Sequence, residues 1–168
     1  QELYVVGGSG PGGALNTLVC YDPKTKRWST LHVMPTARER MGAAVVEGKI
    51  YVVGGDDPGG VRLNTMECYD PKTEQWSTLP PMPTPRWMIG AAVLEGKLYV
   101  VGGLDDHFNT FATTECFDPK TEQWSTLPPM PTARAYLGAA RLEGKLYVVG
   151  GRGPGVGLFS TPVCYDPK

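Results

Sequence analysis

The sequence predicts an all-β fold in which four repeats each form a small sheet of up to four antiparallel strands. A strand-like apolar run ending in two glycines recurs along the 168 residues, in steps of 47, 48 and 48 residues, with the glycine pairs at 7–8, 54–55, 102–103 and 150–151. Trp28, Trp76 and Trp124 follow the first three pairs at intervals of 48. A period of this length built from strand patterns indicates a ring of small sheets rather than one layered core.

The repeat at 86–127 shows the elements in order, with strands expected at 90–94, 98–101, 114–117 and 123–127. A hairpin turn at 95–97 joins the first two strands, and its glycine supplies a positive φ. The second strand is a continuous apolar run that suits burial on both faces, and the glycine pair ends it. Asp118-Pro119 stops the third strand. No segment has helical periodicity, and the prolines exclude long helices.

Sheets of this kind cannot bury their faces alone, so they must stack face to face around an axis. Little room exists near the axis, which explains a Gly-Ala-Ala sequence on each inner strand, at 42–44, 90–92 and 138–140. Space is available at the outer edge, where the recurring tryptophans are expected. Each repeat is therefore a blade that runs from an inner strand to an outer one.

Composition excludes several function classes. The net charge of −1 does not favour a nucleic acid or an anionic membrane as partner. No apolar run reaches the length of about 18 residues that a membrane helix needs. Glycine and proline are abundant, at 22 and 16 residues, but they are periodic and punctuate strands rather than indicating low complexity.

The four cysteines are spaced 48 residues apart, at Cys20, Cys68, Cys116 and Cys164. The repeat places each in a different blade, which is too far apart for disulfides and unlike the local cysteine pairs of zinc sites. We interpret them as small buried hydrophobic residues. Four unpaired thiols favour a reducing compartment such as the cytoplasm.

The double glycine after a buried strand, the Tyr/Phe-Asp-Pro sequence and the tryptophan that follows it resemble kelch repeats, in four copies along the chain. The resemblance implies a kelch β-propeller, which usually has six or seven blades in one chain. It also implies that the protein is an interaction scaffold, although a minority of the family are enzymes or bind ligands.

The predicted blades are incomplete at both ends. They span 1–31, which lacks an inner strand, 38–79, 86–127 and 134–168, which lacks an outer strand, giving a single domain. Three arrangements are open: two chains associate head to tail into a ring of about eight blades, the chain is part of a longer array, or it closes alone as four blades. An open array would expose sheet faces and edges, so we favour assembly or a longer parent.

Two stretches of the repeats are nearly identical. Residues 66–103 and 114–151 align without gaps and differ at only seven of 38 positions. Recent duplication or consensus engineering would each produce this similarity.

Two motifs suggest chemistry but do not support it. Residues 8–13 satisfy Gly-x-Gly-x-x-Gly, yet a strand rather than a helix follows, so a dinucleotide fingerprint is not expected. Asp105, Asp106 and His107 lie together in a loop, but a metal site needs ligands from elsewhere as well. We therefore expect no metal site, no cofactor, no catalytic residues and no enzyme activity.

An arginine recurs in the sequence Pro-Thr-x-Arg, at Arg38, Arg86 and Arg134. Its repetition favours a structural role, in which it donates hydrogen bonds to carbonyls of a neighbouring blade. The family resemblance places this arginine near the loop face, so a ring of positive charge around the mouth is the alternative.

Residues that do not repeat are the better candidates for function. The loops at 9–16, 56–64, 104–112 and 152–160 share a rim with the segments that lead into the inner strands, where aromatic and arginine side chains would anchor a partner. The candidate partner-binding residues are Arg40, Asp57, Arg86, Trp87, His107, Phe108, Arg134, Tyr136, Arg141 and Arg152.

Three functions fit these residues. The first is a scaffold that presents loops to a protein or peptide and self-associates as a head-to-tail homodimer. The second is a propeller that binds a small anion or sugar, or acts on it, through channel-facing arginines such as Arg141, Arg86 and Arg134. The third is an engineered propeller with no natural ligand.

Overall fold

The computed structural model describes residues 2–155 and 157–167. Gln1, Val156 and Lys168 lie outside the described residues; they fall in the predicted first blade, the last loop and the predicted last blade. The described chain consists of strands and connecting loops, and no helix occurs among these residues.

The strands of the first repeat are β1 (Leu3–Val6), β2 (Ser9–Gly10), β3 (Gly13–Ala14), β4 (Leu18–Asp22) and β5 (Arg27–Thr30). Those of the second are β6 (Gly42–Val46), β7 (Lys49–Val53), β8 (Met66–Asp70) and β9 (Gln75–Leu79). The third has β10 (Gly90–Leu94), β11 (Lys97–Val101), β12 (Thr114–Asp118) and β13 (Gln123–Leu127). The fourth has β14 (Ala135–Leu142), β15 (Lys145–Arg152) and β16 (Val163–Tyr165).

Each repeat forms its own antiparallel sheet, which confirms the predicted all-β fold of blades. Blade 1 has the strand order β1-β4-β5, blade 2 has β6-β7-β8-β9, blade 3 has β10-β11-β12-β13 and blade 4 has β14-β15-β16. The short strands β2 and β3 pair only with each other and form a hairpin in the first loop. In blade 3, Glu95 and Gly96 take φ of 52° and 74°. Two consecutive positive φ values are typical of the tight turn that the sequence predicts.

The core lies between consecutive blades. On β11, Leu98 and Val100 pack into the cluster shared with blade 2, whereas Tyr99 and Val101 pack into the cluster shared with blade 4. Successive side chains of a strand point to opposite faces, so a strand stacked between two blades must be apolar at every position. This explains the continuous apolar run of each second strand.

The recurring glycine pair allows neighbouring blades to approach. Gly54 has φ of 66°, and a Cβ added there would lie 2.7 Å from the carbonyl oxygen of Arg86 in the segment leading to the next blade. Gly102 has the same conformation, and a Cβ there would overlap the carbonyl oxygen of Arg134. Both a positive φ and a backbone contact therefore require glycine at this position.

The two ends of the array are open. Leu3 and Val5 on β1 are 57% and 47% exposed, and Leu142 and Val149 in blade 4 are 59% and 51% exposed. No core cluster of the described residues combines blade 1 with blade 4. The structure thus does not have the closed four-blade arrangement, one of the three alternatives. No helix in the described part of the chain is long and apolar enough to cross a membrane.

Candidate partner-binding face

One rim of the array carries a short backbone extension on each of blades 2, 3 and 4. In each extension, a residue at or just before the start of the inner strand pairs with a residue at or just after the end of the second strand. That second residue also pairs with a residue of the loop that follows. The three sets are 39, 56 and 62, then 87, 104 and 110, then 135, 152 and 158. We call this rim, formed by the loops 56–64, 104–112 and 152–160 and by the segments leading into the inner strands, the loop face.

A line of backbone hydrogen bonds joins the blades at the loop face. The amide of Met88 donates to the carbonyl of Arg40 at 2.9 Å, and the amide of Tyr136 donates to the carbonyl of Met88 at 3.0 Å. All three residues take φ between 54° and 57°, a backbone conformation that residues other than glycine rarely adopt. The hydrogen bonds between blades stabilise this conformation. They also fix the backbone positions from which the exposed side chains of Arg40 and Tyr136 extend.

Trp87 lies at the junction of blades 2 and 3 and is covered by its neighbours. The guanidinium carbon of Arg62 lies 4.0 Å from the centre of its ring, and that of Arg40 lies 5.2 Å away. Phe108 meets the ring edge to face at 5.7 Å. Only 5% of Trp87 is exposed. The indole therefore supports two arginines by cation–π contact and does not itself offer a surface to a partner.

Asp56 is the buried acid beneath these arginines. Its carboxylate is 2.9 Å from Nη1 of Arg40 and 3.4 Å from Nη1 of Arg62, and Arg62 also lies 3.8 Å from Asp106. Burial raises the pKa of the Asp56 carboxyl above its usual value, and the charge of Arg40 opposes that shift. The ion pairs hold both guanidinium groups in place over Trp87.

A groove opens beside this cluster, between blades 3 and 4. It has a volume of about 240 Å³ and is lined by Leu104, Phe108, Tyr136, Arg152 and Pro154, among others. Phe108 and Tyr136 are 64% and 55% exposed at its edges. The groove thus combines the buried Leu104 and Ala135 with two exposed aromatic side chains and one exposed arginine.

Comparisons with known proteins agree with the repeat pattern. A family model described as the KLHDC2/KLHL20/DRC7 Kelch-repeats domain matches residues 1–161. The chain belongs to the kelch-repeat family. The kelch repeats explain why the same motifs return in each blade.

Individual relatives match short stretches of the chain. The influenza virus NS1A-binding protein homolog of Mus musculus is 45% identical over 56 residues, 33% of this chain and 9% of that protein. Kelch-like ECH-associated protein 1A of Danio rerio is 44% identical over 57 residues, 32% of this chain and 10% of that protein. Kelch-like protein 40 of Mus musculus is 44% identical over 54 residues, 32% of this chain and 9% of that protein. The matched stretch thus spans only about a tenth of each relative.

The repeated arginines of this kelch domain are framework residues. Arg38, Arg86 and Arg134 are fully buried. Nη1 of Arg86 donates to the carbonyls of Gly102 and Thr113 at 3.1 and 3.2 Å, and Arg134 bonds in the same way to Gly150 and Thr161. These bonds tie each double glycine to the start of the third strand. Burial removes Arg86 and Arg134 from the set of residues that a partner can contact, and the alternative of a positive ring at the mouth is wrong for them.

The remaining predicted residues divide between the two rims of the kelch array. Arg152, Tyr136 and Phe108 come together at the groove. Arg141 is exposed near the opposite end of β14, beside the turn that leads to β15, so the structure does not bring it to the loop face. The arginines expected to form an anion site therefore do not converge.

Asp57 and His107 lie on the loop face but outside the groove. The carboxylate of Asp57 accepts the amides of Gly59 and Val61 at 2.8 and 2.9 Å, so it caps its own loop. Asp105 does the same in the next blade, where its carboxylate accepts the amide of His107 at 2.8 Å. Neither loop gathers a metal site, and no group of three metal-ligating side chains occurs among the described residues.

Two loop-face residues escaped the sequence analysis, Arg62 and Leu158. Arg62 covers Trp87, and Leu158 is the most exposed large apolar side chain of the described chain. Both occupy the same place in their loops, six residues after the residue that pairs with the segment leading into the inner strand. Comparing the loops position by position would have detected them.

Proposed function

We propose that this kelch domain is a non-enzymatic scaffold that binds a protein or peptide on its loop face and associates with further copies of itself to complete a ring. The groove between blades 3 and 4 carries the first part of the proposal. Phe108 and Tyr136 are exposed aromatic side chains that line the groove together with the buried Leu104 and Ala135, and Arg152 supplies a charge. Exposed aromatic residues and arginine contribute most of the binding energy in protein interfaces.

The names of the relatives support a protein partner. One relative is named as a homolog of the influenza virus NS1A-binding protein and another as an ECH-associated protein, and each contains a stretch similar to this chain. The arginine-based alternative, a small-anion or sugar site, has weaker support because Arg86 and Arg134 are buried and Arg141 lies at the other rim.

Selection of a random-peptide library on phage against the whole chain tests the loop-face proposal. We expect the selected peptides to lose about thirtyfold in affinity when Tyr136→Ala or Phe108→Ala is introduced, which corresponds to about 2 kcal/mol for an interface anchor. Isothermal titration calorimetry with the synthetic peptides measures the change.

Arg141→Ala is the matched control for Arg152→Ala, because both arginines are exposed in blade 4 at opposite ends of the β14–β15 pair. Only Arg152→Ala should weaken peptide binding. Peptides that bind Tyr136→Ala and Phe108→Ala as tightly as the unmodified chain, or a library that yields no binder, would contradict the proposal.

A further inference from the structure

We infer that the open face of blade 4 binds the open face of blade 1 of a second copy of this chain, head to tail. This inference rests on the self-association part of the proposed function and specifies its residues. Peptide binding on the loop face does not depend on it.

The outward side of blade 4 repeats an interior surface. Tyr99, Val101 and Cys116 of blade 3 are buried against blade 4. Their equivalents 48 residues later are Tyr147, Val149 and Cys164, which have the same identities but are not covered by another blade of the described residues. Val101 is 1% exposed and Val149 is 51% exposed. We call the surface formed by Leu142, Tyr147, Val149 and Cys164 the leading face.

The outward side of blade 1 repeats the opposite interior surface. Leu98 and Val100 are buried against blade 2, and the same alternation on β1 turns Leu3 and Val5 outward. Tyr21 pairs with Leu3 just as Phe117 pairs with Leu98, so it lies on the same side. We call the surface formed by Leu3, Val5, Val19 and Tyr21 the trailing face.

These two faces are complementary because every interior junction joins one of each kind. A leading face meets a trailing face between blades 1 and 2, 2 and 3, and 3 and 4. The leading face of blade 4 therefore fits the trailing face of blade 1, and a second copy supplies it. Such a contact joins different surfaces of identical chains, and it closes into a ring when the rotation between copies allows.

Charge is compatible with this docking. At the position of Val19, blades 2 and 3 carry Glu67 and Glu115, each buried beside an arginine of the segment that leads into its blade. A carboxylate at position 19 would need an arginine of this kind once the face is covered, because a buried charge without a partner is costly. Val19 removes that cost. Neither face includes a charged residue, and exposed apolar patches of this kind mark association sites.

The outer rim of the new junction remains open. Trp76 and Trp124 donate their indole N–H groups to the carbonyls of His32 and Pro80, which follow the outer strand of the preceding blade. Blade 4 has no outer strand among the described residues, so Trp28 of the second copy has no equivalent acceptor. We therefore expect contact through the second and third strands of both blades.

Light scattering of the whole chain at micromolar concentration is the first test. We expect a mass of twice 18.2 kDa, as required by a ring of two copies. Val5→Glu on the trailing face and Val149→Glu on the leading face should each reduce the mass to 18.2 kDa, because each buries a carboxylate in the junction. Mixing the two monomeric variants should restore pairs, since one unmodified junction remains available between them.

The thiol of Cys164 reports on the same junction from the other end of the chain. Cys20, Cys68 and Cys116 are buried and Cys164 is exposed. Burial raises the pKa of the Cys68 and Cys116 thiols, so they should react slowly with Ellman's reagent. In the associated chain we expect Cys164 to be protected too, and Val5→Glu should make it react several times faster although residue 5 lies in blade 1.

Val61→Glu is the matched control, because Val61 is a valine of similar exposure to Val5 and Val149 but lies on the loop face. It should leave the mass and the Cys164 reactivity unchanged. A mass of 18.2 kDa for the unmodified chain, or association that only one of the two face variants disrupts, would overturn the inference. Val5→Glu leaves the groove between blades 3 and 4 intact, so the variant should still bind peptides. Loss of association and loss of peptide binding can therefore be recognised separately.

Discussion

Arg86 and Arg134 occupy the same place in successive repeats but differ in their electrostatic surroundings. Arg86 has the carboxylate of Glu115 at 3.0 Å. The equivalent of Glu115 in blade 4 is Val163, and none of the ion pairs found among the described residues includes Arg134. Arg134 instead bonds to Thr132 and to two carbonyls and stacks on Phe159 at 4.2 Å. The two sites form a natural comparison of a buried arginine with and without its acid.

We predict that Glu115→Val destabilises the chain by about 3 kcal/mol, because removing one member of a buried ion pair leaves the other charge uncompensated. Val163→Glu should act in the opposite direction and stabilise by about 1 kcal/mol, since it gives Arg134 a charged acceptor near an edge strand. Urea denaturation measures both changes.

Glu115→Gln and Val163→Gln are the controls, because they keep the size of the side chain without its charge. The stability of Glu115→Gln should lie between those of the unmodified chain and Glu115→Val. The stability of Val163→Gln should lie between those of the unmodified chain and Val163→Glu. A Val163→Glu chain no more stable than Val163→Gln would show that Arg134 gains nothing from a carboxylate.

At the residue scale, the sequence predicted which residues lie on the loop face better than it predicted whether their side chains are exposed. Tyr136, Phe108 and Arg152 do not repeat, and the structure places them round one groove. Trp87 does not repeat either, yet it is buried, because Arg62 from the preceding blade lies over its ring. That contact depends on the conformation of a non-repeating loop, and no periodic signal encodes it.

A double glycine ends each second strand, and contact with the next blade determines how much a side chain at the first glycine would cost. Gly102 and Gly150 have nearly the same conformation, with φ of 64° and 68°. A Cβ on Gly102 would overlap the carbonyl oxygen of Arg134, whereas a Cβ on Gly150 would have nothing within 4 Å. The two positions therefore separate backbone strain from contact between blades.

We predict that Gly150→Ala destabilises the chain by about 1 kcal/mol, the cost of a positive φ for alanine. Gly102→Ala should cost more, because strain is joined by a clash that pushes blade 4 away from blade 3. Thermal unfolding followed by circular dichroism compares them directly. Equal losses of stability would mean that the blades do not need the close approach seen at Gly102.

At the element scale, the sequence predicted what repeats. The strands of blade 3 lie within one residue of the expected ranges, and those of blade 2 occupy the same ranges 48 residues earlier, because the alternation of buried faces and the turn residues recur in each copy. The hairpin of β2 and β3 and the extensions at the loop face were not predicted. They belong to loops that differ in length and composition between repeats, so no recurring pattern indicates their structure.

At the scale of the whole array, residues 2–155 and 157–167 form a row of blades in which each of the three main core clusters joins two neighbouring blades. Blades 2 and 3 share interfaces on both sides, whereas blades 1 and 4 each share one. In such arrays stability is approximately a sum of terms within repeats and terms between neighbours. The end blades should therefore open at a lower free energy than the inner ones, even where their hydrogen bonds are equivalent.

Strands β11 and β15 provide a direct comparison. Each is paired on both sides within its sheet, β11 with β10 and β12 and β15 with β14 and β16, but only β11 lies in a blade stacked between two others. In monomeric Val5→Glu, we predict that amides of β15 exchange with deuterium severalfold faster than those of β11. Mass spectrometry of proteolytic fragments measures both. In the associated chain, blade 4 gains a neighbour, so protection of β15 should rise towards that of β11. Equal protection of the two strands in the monomer would show that the four blades unfold as one cooperative unit and that stacking between neighbours does not set their local stability.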